Sequence, residues 1–334
     1  MSTTAPGPGP TFSVLTTAYR TEDTVGRAIG AVLDQTVADW ELVVVDNGRS
    51  DAMAAVVAPF TVDPRIHLVR QENRGAAGGI AAAATHATGR WLVVLNSDDH
   101  VAPTFLARML EVIAAHPDVA AVTCDAVRFS DTEPDPPGSY LETAGQRGTA
   151  DPSRPLRVAD VVDGPCPYYT AAIRRDVWDS VGGMTSLRPD TSKVSDLDFW
   201  LRLLVTGHDV RTVPDRLGRF RIEAGSVSRP DDDAAADELD VQVEGVLRRA
   251  VERTGAPEDE AALERTLARR RREAAVRHAR AALREGSTAR ARRHYDEAWR
   301  LGPDVRLAVV RAGLRVAPPL VGLAYRVKQR WGRR

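Results

Sequence analysis

From Thr11 onward, apolar positions alternate between short continuous runs and helical spacing, a pattern that predicts repeated strand-turn-helix units. FSVLTTAY reads as a buried strand, and TEDTVGRAIGAVLDQ follows with a Thr cap and with Val25, Ile29, Val32 and Leu33 on one helical face. ELVVVDNG is an apolar run broken by Asn47-Gly48, as expected of a strand covered on both sides. The same reading predicts a helix over MAAVVAPF, a strand over RIHLVRQE, a small-residue helix over GIAAAATHATG and a strand over RWLVVLNSDD. A helix over residues 106–115 and the strand AAVTCDAVRF come next, then a Pro-, Asp- and Gly-rich stretch over about residues 130–163, long enough for a binding loop or lid. YYTAAIRRDVWDSVGGM predicts a strand, a short helix and a Gly-Gly turn, and SDLDFWLRLLVTG an amphipathic helix. Beyond about residue 231 the chain reads as Ala/Arg/Glu-rich helices interrupted near residues 255–257, 286, 303 and 318–319.

Repeated βα units predict an α/β fold, with a mostly parallel central sheet between helices and a C-terminal α-helical appendage. Ligands of such sheets sit at the C-terminal ends of the strands. Those ends carry Thr17 and Tyr19, Asp46 and Asn47, Asn73, and then Asn96, Ser97, Asp98 and Asp99, so all should line one crevice. Neither the dinucleotide glycine motif nor the P-loop pattern follows the first strand, so phosphates are not held by either glycine-rich cradle. Adjacent acids at a strand end suit a hard divalent cation completed by substrate phosphates; the alternative is a solvated turn capping the next helix. Asp196 and Asp198 open the helix of SDLDFWLRLLVTG, either as first-turn acids on the helix dipole or with one of them as a general base at the crevice.

VLTTAYRTEDTVGRAIGAVLDQTVADWELVVVDNGRSD, ENRGAAGG, GRWLVVLNSDD, VGGM and SDLDFWLRLLVTG together resemble the family 2 glycosyltransferases of the GT-A fold. The resemblance covers about residues 11–229, after a disordered lead over residues 1–10 and before a basic helical region over residues 230–334. It implies an inverting, metal-dependent enzyme that moves a sugar from a nucleoside-diphosphate donor to a hydroxyl of a glycan, lipid-linked or other acceptor. By position, Thr17, Tyr19, Asp46 and Asn47 are expected at the base and ribose, with Asn73 and Asn96 also in the donor site. NSDD resembles the family's metal motif, with Asp98 the ligand of Mn²⁺ or Mg²⁺ and Asp99 assisting the metal or the ribose. Asp196 corresponds to the catalytic base, and Arg221 to the segment that closes over the diphosphate, where Glu223 replaces a histidine common in the family. Asn47 and Asn96 stand where most members have aspartates, which is similar to the rhamnosyltransferase-like branch and admits a UDP- or dTDP-sugar, rhamnose included. An asparagine oxygen could still accept the imino hydrogen of a pyrimidine. A sugar nucleotidyltransferase or a non-catalytic nucleotide-sugar-binding module are the alternatives.

Composition narrows the rest. The 334 residues are 43% hydrophobic and 27% charged, values of an ordinary globular chain. No run approaches the roughly 18 apolar residues of a spanning helix. The opening MSTTAPGPGP lacks an export pattern, so a cytoplasmic location is expected. Cys124 and Cys166 are too few for a disulfide scaffold or zinc cluster and are expected as reduced thiols. Net charge is −1, but residues 264–334 hold 20 Arg or Lys against 6 Asp or Glu, +14, leaving −15 for residues 1–263. Within that tail a helix pair resembles a single tetratricopeptide unit, with Leu283, Gly286, Tyr295, Ala298, Leu301 and Pro303 in place. Leu320, Leu323, Ala324, Val327 and Trp331 share a helical face beside Arg326, Lys328 and Arg330, so residues 305–334 either dock on the protein or lie on an anionic membrane surface at the inner face of the cell membrane. No nucleic-acid-binding module is present. Phe199 and Trp200 are expected in the core, and the histidines, His67, His86, His100, His116 and His208 among them, have no ligand spacing.

Overall fold

A computed structural model of the chain describes residues 9–143, 150–185, 188–222 and 232–323. It divides into two compact units, residues 1–223 with 252–254, and the remainder of 224–334. Glu223, Ala324, Arg326, Val327, Lys328, Arg330 and Trp331 lie outside the described residues.

The first unit is built on one eight-stranded sheet, ordered β3 (Ile66–Arg70), β2 (Trp40–Asp46), β1 (Phe12–Ala18), β4 (Trp91–Val94), β7 (Ala172–Arg174), β6 (Ala121–Phe129), β8 (Val210–Arg221) and β5 (His100–Val101). The β1–β2, β1–β4, β2–β3 and β6–β8 pairs are parallel. Strand β7 runs antiparallel to both its neighbours, and β5 antiparallel to β8. All seven residues of β2 are buried, which is why its sequence is apolar without alternation. Helix α1 (Val25–Leu33) turns Val25, Ala28, Ile29 and Val32 inward, at the spacing its sequence shows. The next helical turns are α2 (Asp51–Val57) and a 3-10 turn over Ala58–Val62, so the segment expected as one helix changes pitch at the proline.

Small residues in α3 (Gly75–His86) let that helix lie directly on β1. A Cβ at Gly79 would stand 2.4 Å from Thr17 Oγ1, closer than any real contact. The helix starts four residues before GIAAAATHATG, because the Gly-Ala-Ala-Gly run joins it. The turn from α3 into β4 is fastened by the buried Glu41, which accepts from Ser13 Oγ at 2.6 Å, Thr88 Oγ1 at 2.9 Å and the Gly89 amide at 3.2 Å. Burial alone would raise the Glu41 pKa, but these bonds outweigh it and hold the group below its ordinary value. Helix α4 (Phe105–Ala115) covers the sheet with Phe105, Leu106, Met109 and Val112.

Two strands escape the sequence pattern. Residues 210–221 contain Pro214, Asp215 and three arginines after Val213, and β8 absorbs Pro214 and Asp215 in a bulge opposite Cys124 and Asp125. Strand β5 is only two residues long. The long irregular stretch holds two short helices, α5 (Tyr140–Thr143) and α6 (Val158–Val162). Helix α7 (Arg175–Ser180) and the left-handed Gly182 and Gly183, at φ 79° and 67°, lead toward α8 (Ser195–Val205), whose Phe199 and Trp200 are both fully buried.

The second unit comprises α9 (Asp233–Thr254), α10 (Pro257–Arg284), α11 (Thr288–Leu301) and α12 (Val305–Val316). Ala275, Ala279, Ala282 and Leu283 of α10 pack with Ala291, Tyr295 and Ala298 of α11, and α12 adds Leu307 and Leu314. Alanine on the facing stripes sets the close approach of the pair, and Gly286 at φ 81° makes the turn between them.

Gly89→Ala tests the contact between the α3–β4 turn and β1. Its Cβ would fall 2.7 Å from the Ser13 backbone nitrogen, so we expect a loss of about 1–3 kcal/mol in urea unfolding.

Candidate active site

The C-terminal ends of β1 to β4 bring Thr17, Tyr19, Asp46, Asn47, Asn73, Asn96, Asp98 and Asp99 to one end of the sheet. The loops there are drawn together, Thr21 Oγ1 lying 2.8 Å from Ser97 Oγ and Asn47 Nδ2 donating to Asn73 Oδ1 at 3.3 Å. Tyr19 is 42% exposed, and Gly48 leaves room for its ring: a Cβ there would approach it to 3.0 Å. Arg20 and Arg49, each just past a strand end, sit at φ 57° and 50°, left-handed conformations that cost energy in a residue with a side chain. Sequence gave no sign of either.

The pair after β2 divides its work differently from the expectation. Asn47 is 1% exposed; its oxygen accepts from Gln71 Nε2 at 2.7 Å and the Arg74 amide at 3.2 Å, and its amide donates to Gly75 O at 2.9 Å. Both lone pairs of that oxygen are therefore used, so Asn47 cannot also accept an imino hydrogen. It shapes the 71–75 loop instead, together with Asn73, whose oxygen also takes the Gly75 amide at 2.8 Å. Asp46 accepts from the Ser50 amide and Arg70 Nε, both at 3.1 Å, on separate oxygens, and each oxygen keeps a second acceptor position.

Asp99 is 1% exposed, and its Oδ1 accepts the backbone amide of Arg221 at 2.7 Å. Its Oδ2 is buried without a hydrogen-bond partner among the described residues. Burial first, and then the neighbouring Asp98 charge, push the Asp99 pKa well above the carboxylate range. Bonds from the Arg221 amide and the Asn96 side chain oppose that shift only in part. Two crowded carboxylates, one with an orphaned oxygen, fit a divalent cation, which would relieve both the repulsion and the unmet acceptor. No group of three or more His, Cys, Asp or Glu side chains that could hold a metal ion by itself occurs among the described residues. Arg221 reaches this site through its backbone, while its guanidinium pairs with Asp131. Most of the segment expected to close over the diphosphate, residues 223–231, lies outside the described residues.

The two acids at the start of α8 also have different tasks. Asp198 pairs with Arg202 at 2.8 Å, and Arg202 in turn caps the carbonyls of Val181 and Gly183. Asp196 is not the N-cap, a position held by Val194; it bonds its neighbour's amide, from Leu197, at 2.8 Å. Its Oδ2 lies 4.0 Å from the Cys166 thiol, and Tyr140 Oη donates to the Cys166 carbonyl at 2.8 Å. Burial raises the Asp196 pKa, and burial followed by the Asp196 charge raises that of Cys166. A thiol so shifted stays protonated and is no nucleophile.

Tyr140, Tyr168, Tyr169 and Phe220 form an aromatic cluster. Tyr168 lies 6.2 Å from Tyr140 and 4.7 Å from Tyr169, with Phe220 6.4 Å from Tyr168 and 6.1 Å from Tyr169. After burial, the Asp99 and Asp98 charges help raise the Tyr168 pKa, while Tyr140 responds to Cys166 and Asp196. The charges of Asp98 and Asp99 therefore act on Tyr168 and that of Asp196 on Tyr140. Tyr140 and Phe220 carry no sequence signal, since one is a lone aromatic in a Pro-rich stretch and the other lies in an unrecognised strand.

Residues 13–180 match the family model described as glycosyl transferase family 2. The chain belongs to glycosyltransferase family 2. The match ends before α8 and β8, so Asp196 and Arg221 lie outside it. The succinoglycan biosynthesis protein ExoO of Rhizobium meliloti is 41% identical over 120 residues, 35% of this chain and 34% of that protein. The matched stretch therefore spans about a third of that relative's length. Among solved structures, S. aureus TarS residues 1–349 with UDP-GlcNAc superpose at TM-score 0.61 and 14% identity, over 96% of this chain and 92% of that one. The mannosyltransferase PcManGT of Pyrobaculum calidifontis, solved with GDP-Man and Mn²⁺, gives TM-score 0.58 and 18% identity over 99% and 91%. At such identities the likeness shows the GT-A fold. For this family 2 glycosyltransferase the expected fold is therefore the observed one.

A raised Asp196 pKa has a stability consequence. Between the unfolded value near 3.9 and the higher folded value, the native state binds more protons, so stability falls as pH rises through that window. Asp196→Asn removes the penalty, and its Tm should exceed that of the wild type by a few degrees at pH 8, the gain vanishing toward pH 4. An unchanged Tm across that range would count against the assigned environment.

Proposed function

We propose that this family 2 glycosyltransferase transfers a sugar with inversion from a UDP- or dTDP-sugar to a hydroxyl of a glycan or lipid-linked acceptor in cell-surface polysaccharide synthesis. What supports the reading is the cluster of Tyr140, Tyr168, Tyr169 and Phe220, in which Tyr168 feels the charges of Asp98 and Asp99 and Tyr140 that of Asp196. Asp98 and Asp99 would hold Mn²⁺ or Mg²⁺, which supplies positive charge against the leaving diphosphate. Asp46, with acceptor positions to spare, and exposed Tyr19 suit the base and ribose. Asp196 takes the acceptor proton as the oxygen attacks the anomeric carbon from the face opposite the diphosphate, so a single displacement inverts the centre. Its raised pKa makes it a stronger base than an ordinary aspartate, while leaving it ionised above that pKa. The donor sugar is a hexose or 6-deoxyhexose, rhamnose among them, and the role in polysaccharide assembly follows the relative named for succinoglycan biosynthesis.

Thermal-shift screening of UDP- and dTDP-sugars with Mn²⁺ or Mg²⁺ identifies the donor. Asp98→Asn should abolish the metal-dependent part of that shift. Asp196→Asn should preserve donor binding and lower kcat about 10²–10⁴-fold. Wild-type kcat should fall as pH drops through the Asp196 pKa, at a pH above the ordinary aspartate value. Full turnover in Asp196→Asn, or donor binding indifferent to metal, refutes the assignment.

A further inference from the structure

We propose that the outer face of α12 is a docking surface for an anionic lipid bilayer. The helix carries two apolar stripes on opposite sides. Leu307 and Leu314, 5% and 1% exposed, belong to the packed core of the helical unit. Val305, Val309 and Val316 are 80%, 67% and 86% exposed. At 3.6 residues per turn these three valines and exposed Ala312 fall within about 60° of one another, roughly opposite the leucines. Residues 318–323 are again helical and expose Leu320 and Leu323 at 66% and 53%. Nine large apolar side chains are exposed among the described residues, and five of them lie in residues 305–323, so the apolar surface is concentrated here. One stripe suffices to hold a helix on its own unit; the second needs a partner outside it.

Charge selects the occupant. Residues 305–323 contain Arg306, Arg311 and Arg315 and no acid. Arg311 is turned inward, pairing with Asp296 at 2.7 Å and lying 4.6 Å from the Trp299 ring. Arg306 and Arg315 are exposed and border the valine stripe on its two sides. Asp296 is also the acid nearest Arg315, at 3.3 Å, so one carboxylate serves both Arg311 and Arg315. A second copy docking by this face would set these basic rims against one another. A bilayer accepts both features, with valine methyls among the upper acyl carbons and guanidinium groups at the phosphates. No described helix is long and apolar enough to cross a membrane, so the attachment is along the surface.

Sedimentation of the full chain with vesicles of phosphatidylcholine, with and without phosphatidylglycerol, tests this without reference to the transfer reaction. Binding is expected only to the anionic vesicles and should weaken as salt is raised. Val309→Asp with Val316→Asp, and separately Arg306→Glu with Arg315→Glu, should each reduce it about tenfold or more. Both pairs change exposed positions, and unaltered melting curves establish that the fold is kept. The proposal is overturned if the wild type ignores anionic vesicles, binds neutral ones equally, or if both variants bind like the wild type. A concentration-dependent dimer abolished by the valine changes, without vesicle binding, would assign the face to a second copy.

Discussion

A single buried carboxylate organises the catalytic end of the sheet. Asp99 joins the turn after β4 to the last residue of β8 through the Arg221 amide, two segments more than a hundred residues apart in sequence. Burying an acid is costly, and the bonds from the Arg221 amide and the Asn96 side chain leave its Oδ2 without a partner among the described residues. The remaining oxygen faces the same neighbourhood as Asp98, where crowding of two like groups further disfavours ionisation. A buried oxygen without a partner among the described residues, beside a second carboxylate, is a position that a divalent cation would satisfy.

The rest of the site depends on where that turn is fixed. The tyrosine cluster runs from Tyr168, which feels the Asp98 and Asp99 charges, to Tyr140, which feels that of Asp196. Gly218 in β8 makes this possible, since a Cβ there would stand 2.2 Å from the Tyr168 ring. Within α8, the pairing of Asp198 with Arg202 secures the helix start and leaves Asp196 directed at Cys166. One acid holds the scaffold, while its near neighbour stays buried beside a thiol.

The imbalance of charge along the chain resolves largely inside the helical unit. Arginines of α10 meet aspartates of α9: Arg270 pairs with Asp240 at 2.6 Å, Arg277 with Asp237 and Asp240, and Arg284 with Asp233 at 2.8 Å. Such partly exposed pairs add little stability each, but they fix which helix faces meet. The core beneath them is mainly alanine, with Leu283, Tyr295, Leu307 and Leu314 supplying bulk. The α12 segment is basic and apolar at once, with Asp296 shared between Arg311 and Arg315.

Periodicity alone revealed β1 to β4, α1, α8 and the helical tail, because burial on one or both faces imposes a local apolar pattern that survives without knowledge of the fold. The strand-end rule also found Asp46, Asp98 and Asp99. Strand β8 was illegible because its partners, not its own residues, stabilise it: Pro214, Asp215 and three arginines are accommodated by a bulge against β6. Asn47 shows the reverse case, a residue whose position was readable but whose hydrogen bonds were not, since Gln71, Arg74 and Gly75 reach it only after the β3–α3 loop folds back. Sequence by itself determined the elements and the candidate acids, as these follow from local spacing. Which acid keeps an unmet oxygen, which is absorbed in an ion pair, and which tyrosines feel their charges were decided by tertiary structure, because desolvation and hydrogen-bond partners come from residues distant in the chain.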